Sequence, residues 1–118
     1  MPSVPFPHSP ALTIVASVSL CLTGSALAQT EAKGGEYFTK TVQPVLKEYC
    51  LTCHSTEKQK GDLDLERFGS LEAALREPKV WQQVVEQIEN GEMPPAKKPQ
   101  PSAVQRQELL TWAKSSLA

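Results

Sequence analysis

Between Lys47 and Leu65 the chain reads KEYCLTCHSTEKQKGDLDL. Cys50 and Cys53 stand three positions apart, and His54 follows the second cysteine directly. That spacing is close to one helical turn, so two thiols and an imidazole share one short piece of backbone. What precedes them points to the fold. Phe38, Val42, Val45, Leu46 and Tyr49 fall at offsets of 0, 4, 7, 8 and 11, the apolar stripe of an amphipathic helix whose end delivers Cys50. Pro44 lies inside the stripe, which predicts either a short opening turn before a helix starting near Pro44 or one kinked helix, with the stripe favouring a continuous direction.

Downstream of the histidine, STEKQKG is polar and ends at Gly61, a loop by composition. DLDL alternates Leu63 and Leu65 with Asp62 and Asp64 but is too short to make a sheet. Leu71, Ala74 and Leu75 predict a brief helix that stops before Pro78, because the residue ahead of a proline avoids helical geometry. A longer helix follows, with Trp81, Val84, Val85 and Ile88 at offsets of 0, 3, 4 and 7 and Gly91 as a left-handed cap at its end. EMPPAKKPQP then places four prolines in ten residues, an extended, stiff loop with Met93 at its entrance. The last element begins at Ser102, with Gln105 three residues on as a capping box, and runs through Leu109, Leu110 and Ala113 towards Leu117. The pattern is all-α.

Length and charge bound the function. A chain of 118 residues is one domain at most, and a net charge of −1 gives no signal for nucleic acid or an anionic membrane surface. Every Lys, Arg, Asp and Glu lies at Glu31 or later. Within the uncharged start, Ala11 to Leu22 has the length of a signal-peptide apolar core, and Ala26 and Ala28 sit at the small-residue cleavage positions, although the usual Lys or Arg before the core is missing. The expected organisation is a signal peptide over 1–28, a short flexible segment over 29–35 and the functional domain over 36–118. Cleavage removes Cys21 and places the domain in the periplasm or an equivalent extracytoplasmic space. Membrane association is expected only where the N-terminal segment is retained as an anchor.

No glycine-rich phosphate loop and no Ser/His/Asp set is present, so the chemistry falls to the cysteines. Zinc needs four ligands, commonly from two paired clusters, and the processed chain offers two cysteines and one histidine, so a carboxylate would have to complete the set. A thioredoxin-like dithiol sits at a helix N-terminus after a strand, whereas these cysteines follow a helix with no βαβ pattern around them. The third reading uses every residue: both thiols form thioethers to the vinyl groups of one haem c, and His54 reaches the iron. Haem attachment of this kind belongs to exported compartments, in agreement with the N-terminal segment.

The second axial ligand can be sought by elimination. After processing there is no second histidine and a single methionine, Met93, whose thioether is a soft ligand suited to haem iron. The plain alternative is a methionine filling a gap in the core, but its place in a proline-stiffened loop after a helix argues for a held position. Pro94 and Pro95 would fix the sulfur towards iron. Leu63, Leu65, Trp81, Val84, Val85, Ile88 and Pro94 are candidates to line the haem, the alternative for the apolar side chains being ordinary core. Trp81 offers an indole N–H to a haem propionate, though packing alone accounts for it. Lys97 and Lys98 flank the methionine loop, where a solvated turn is the commoner role than docking. Asp62 and Asp64 are explained by a glycine-led turn without calcium.

With these residues in place the chain resembles a class I monohaem cytochrome c. More closely, TVQPVLKEYCLTCHS, GDLDLERFGSLEAAL and PKVWQQVVEQIENGEMPPAKKPQPS are similar to the planctomycete-type cytochrome c domain, over nearly all of residues 36 to 115. The resemblance implies a small all-α fold of about four short helices wrapped round one covalent haem, with the N- and C-terminal helices packed together. It also implies Cys50 and Cys53 as attachment residues, His54 as proximal ligand and Met93 as distal ligand. The function so implied is electron transfer to a redox partner protein or a larger oxidoreductase, without a small-molecule substrate and without catalysis by the domain alone. A haem-based sensor or enzyme with a labile Met93, and a non-haem interaction module, are the alternatives.

Overall fold

The computed structural model describes residues 2–5 and 25–118. Its elements are α1 (Ser25–Tyr37), a π-helical turn (Phe38–Val42), α2 (Gln43–Tyr49), α3 (Leu51–His54), a 3₁₀ turn (Lys60–Asp62), α4 (Leu71–Leu75), α5 (Pro78–Glu89) and α6 (Ala103–Leu117). No strand occurs among the described residues. The all-α class holds. The brief helix expected at Leu71, Ala74 and Leu75 is α4, and the expected four helices become more because α1 precedes them and α3 is a single turn that periodicity cannot resolve. The apolar run Ala11–Leu22, with Cys21 and most of the expected signal peptide, lies outside the described residues. Among the described residues no helix is long and apolar enough to cross a membrane.

The helix entering the site is continuous through Pro44, and the π-helical turn is how. A proline ring clashes with the carbonyl four residues back and offers no N–H. Here the turn before it is widened: the Gln43 N–H donates to the Phe38 carbonyl, five residues back, and the backbone stays right-handed helical throughout. Phe38, Val42, Val45 and Leu46 are all buried, as their spacing predicts. Upstream, α1 passes through 29–35, expected to be flexible. Its exposed Gln, Glu and Lys carry no apolar stripe to announce a helix, yet are good helix formers. α1 is held by close approach: a Cβ on Gly34 would lie 3.2 Å from Leu71 Cδ2 on α4.

The core is a chain of aromatic rings. Phe38 meets Trp112 at 5.2 Å between centroids, Trp112 meets Trp81 edge-on at 4.8 Å, and Trp81 meets Phe68 at 5.1 Å. These separations are those at which tilted and edge-to-face pairs attract beyond their burial. They tie the start of the entering helix to α6, α6 to α5, and α5 to the loop after the histidine. The packing of N-terminal against C-terminal helix thus rests on Phe38 and Trp112. α5 contributes Trp81, Val84, Val85 and Ile88, all buried, and α6 contributes Leu109, Trp112 and Ala113. The Ser102 hydroxyl accepts from the Gln105 N–H while the Gln105 side chain accepts from the Ser102 N–H, so the predicted capping box opens α6.

Candidate functional site

The Cys50 backbone links two helices. Its N–H closes α2 on the Leu46 carbonyl at 2.9 Å, and its own carbonyl then accepts from Cys53 at 3.2 Å and His54 at 3.0 Å. Both thiols and the imidazole are half-buried on this one turn. The following loop folds back: the Leu65 N–H donates to the His54 carbonyl at 2.8 Å, and the Thr56 N–H to the Glu66 carboxylate at 3.0 Å. Gln43 of α2 clamps the far end by donating to the Phe68 and Gly69 carbonyls. Asp64 accepts from the Glu66 and Arg67 N–H groups, so its carboxylate braces a turn, in keeping with the turn reading.

Met93 is held by the end of α5. Gly91 is left-handed at φ +72°, its N–H bonds the Ile88 carbonyl, and the Glu92 N–H bonds the Gln87 carbonyl. This is a Schellman end, with Gly91 where the sequence placed it. The Met93 N–H joins the same Gln87 carbonyl at 3.1 Å. A gap-filling methionine is buried, whereas Met93 is 36% exposed and stands outside the core cluster. The next residue, Pro94, is buried and follows a cis peptide bond. Lys97 and Lys98 are exposed on the turn beyond.

The donor set fits a neutral covalent attachment better than thiolate chemistry. Burial, reinforced by the neighbouring Cys53, pushes the Cys50 thiol up to about 11. Reactive dithiols and zinc ligands need the thiolate, which this position disfavours, whereas a thioether carries no charge to bury. Both cysteines are free. Among the described residues no three His, Cys, Asp or Glu side chains gather into a metal cluster, so the zinc reading lacks its remaining ligands. The His54 Nδ1 is buried without a hydrogen-bond partner. Such an orphan costs roughly 1–3 kcal/mol where nothing pairs it. Two free thiols, an imidazole with an orphaned nitrogen and a held thioether are the side chains a c-type haem takes.

The proposed lining residues divide by burial. Leu65, Trp81, Val84, Val85 and Ile88 belong to the buried cluster, Leu63 packs against it half-buried, and Pro94 is buried. The Trp81 indole donates to the Ala74 carbonyl at 3.0 Å, so its N–H is already used and packing is its role. A groove of about 500 Å³ beside α2 is lined by Leu46, Leu51, Leu65 and Phe68 among others, and shares Leu65 with that set. Both halves of the site hang on one core, since Leu65 holds the His54 carbonyl and Ile88 closes the turn before Met93. Sequence reasoning missed Gln43, Gln100 and Arg106, polar side chains whose partners are backbone carbonyls that no periodicity reveals.

A small helical domain with Cys-x-x-Cys-His on one turn and a methionine held after a tryptophan-bearing helix has the marks of the c-type cytochromes. Residues 50–97 match the family described as Planctomycete cytochrome C, a match running from the first cysteine through the methionine loop. The match supports a planctomycete-type cytochrome c domain at these residues. Cytochrome c domains bind haem, serve electron transfer and are typically extracytoplasmic. No curated protein and no solved structure matches the chain.

Proposed function

We propose that the protein is an exported electron carrier that holds one haem c through thioethers at Cys50 and Cys53, with His54 and Met93 as axial ligands. The observation that carries this reading is the construction of its two halves: thiols and imidazole fixed on one turn by the Cys50 carbonyl, and a half-exposed thioether fixed by the Gln87 carbonyl. When bound, the haem supplies reversible one-electron exchange at its iron. The chain's residues fill both axial positions, exclude water with Leu65, Val84, Val85 and Ile88, and set the potential through ligand identity and burial. Its partner is a redox protein or a larger oxidoreductase, met at the haem edge.

The test is expression in a host with working haem-attachment machinery. Mass spectrometry of the exported product is expected to show one haem, no free thiol and a start at Gln29. The spectrum should be low-spin, and Met93→Ala should open the iron to carbon monoxide. Intact thiols without haem would instead indicate an interaction module. A five-coordinate, carbon-monoxide-binding resting state in the unmodified protein would indicate a sensor or enzyme with a labile Met93.

A further inference from the structure

The methionine loop has few donors of its own. Pro94, Pro95, Pro99 and Pro101 have no N–H, and the loop's internal backbone bond is one, from the Lys98 N–H to the Pro95 carbonyl at 2.8 Å. The carbonyls beside Met93 must find partners elsewhere, the more so because Pro94 is buried. They find Gln100. Its amide nitrogen lies 3.1 Å from the Pro94 carbonyl, 2.9 Å from that of Pro95 and 3.2 Å from that of Lys98. The amide oxygen in turn accepts from the Arg106 guanidinium at 3.1 Å, so the amide is oriented with its donors towards the loop.

Arg106 also reaches past the loop. Its other terminal nitrogen donates to the Ile88 carbonyl at 3.2 Å, at the C-terminal end of α5, where a positive charge is favoured by the helix dipole. The loop is thus referenced twice to the same helix end: upstream through the Met93 N–H on Gln87, downstream through Gln100 and Arg106 on Ile88. A hydrogen bond to Gln87 alone leaves the chain beyond Met93 free to swing; the second anchor closes the span.

We infer that Gln100, oriented by Arg106, is a positioning residue that holds the Met93 thioether against competing ligands. This rests on the reading of Met93 as axial ligand. Neither residue touches the haem in this role; both act through the Pro94 and Pro95 carbonyls. A thioether is a weak ligand, and its hold depends on how little freedom the protein allows it. Losing the Gln100 donors lets the loop relax and lets an external ligand take the open position more readily.

The test titrates the haem-loaded protein with imidazole. Gln100→Leu is expected to bind imidazole about tenfold more tightly than the unmodified protein, the factor equivalent to about 1.4 kcal/mol and the size of one net hydrogen bond. It should also weaken the red charge-transfer absorption of thioether-bound ferric iron. Gln100→Glu, which keeps the acceptor for Arg106 but cannot donate to the carbonyls, should behave alike and serves if the leucine variant folds poorly. In a Met93→Ala background, Gln100→Leu should leave imidazole affinity unchanged, because there is no thioether left to position. Unchanged imidazole affinity in both Gln100 variants, or an equal gain with and without Met93, would overturn the inference. If Met93→Ala itself leaves imidazole affinity at the unmodified value, the axial reading fails instead, and the two failures are told apart.

Discussion

The Met93 N–H donates to the Gln87 carbonyl at 3.1 Å, the same oxygen that accepts from Glu92, so the candidate distal ligand is joined to the last turn of the helix it follows. A ligand on a free loop would have to be ordered when it binds. Here ordering is accomplished by the helix end, whose geometry turns on one glycine at positive φ.

Gly91 can therefore be separated from its neighbours by substitution. An added Cβ meets nothing within 4 Å, so the cost of Gly91→Ala is backbone strain at φ +72° alone, roughly 1–2 kcal/mol. Chemical denaturation of the haem-loaded protein should show that loss, with Gly91→Asn losing less because asparagine tolerates left-handed geometry. Equal stability of Gly91→Ala and the unmodified protein would mean the Schellman end does not hold the loop.

Trp81 offers a second test, directed at the core that both halves of the site share. The ring is 2% exposed, packed tilted against Phe68 and edge-on against Trp112, and its N–H donates to the Ala74 carbonyl. Trp81→Phe removes ring volume and one donor to that carbonyl, which keeps its bond from the Glu77 N–H, so a loss of about 1–3 kcal/mol is expected by denaturant titration. A loss below about 0.5 kcal/mol would place the ring outside the cooperative core.

How much of this was legible in the sequence follows from the kind of force at each place. Apolar periodicity located α2, α5 and α6 because burial acts on side chains spaced along a helix, and it named Phe38, Trp81 and Ile88 as core. Gly91 and Ser102 were legible because each meets a backbone demand few residues satisfy. α1 was not, since a polar helix has no stripe; nor was the π-helical turn, which answers a clash between Pro44 and a carbonyl rather than any pattern. At the site, Cys50, Cys53, His54 and Met93 were chosen by chemistry and elimination. Gln100 and Arg106 escaped because a side chain bonding a distant carbonyl leaves no trace in local sequence.

The Cys50 thiol gives a pH-dependent prediction whose direction is fixed by its surroundings. In the folded haem-free chain burial holds its proton up to about 11, against an ordinary value of 9.0. The unfolded chain therefore ionises first as pH rises, and the stabilisation is whole below pH 9 and lost as pH passes through 11. The expected loss is about 2 kcal/mol by pH 11, read as the difference in unfolding free energy between the haem-free protein and its Cys50→Ala variant, followed by tryptophan fluorescence. Subtracting the variant cancels the groups that the two proteins share. The haem-loaded protein should lack this contribution, because a thioether does not ionise. Persistence of the full slope in Cys50→Ala would assign it to another group and leave the thiol's burial without consequence for stability.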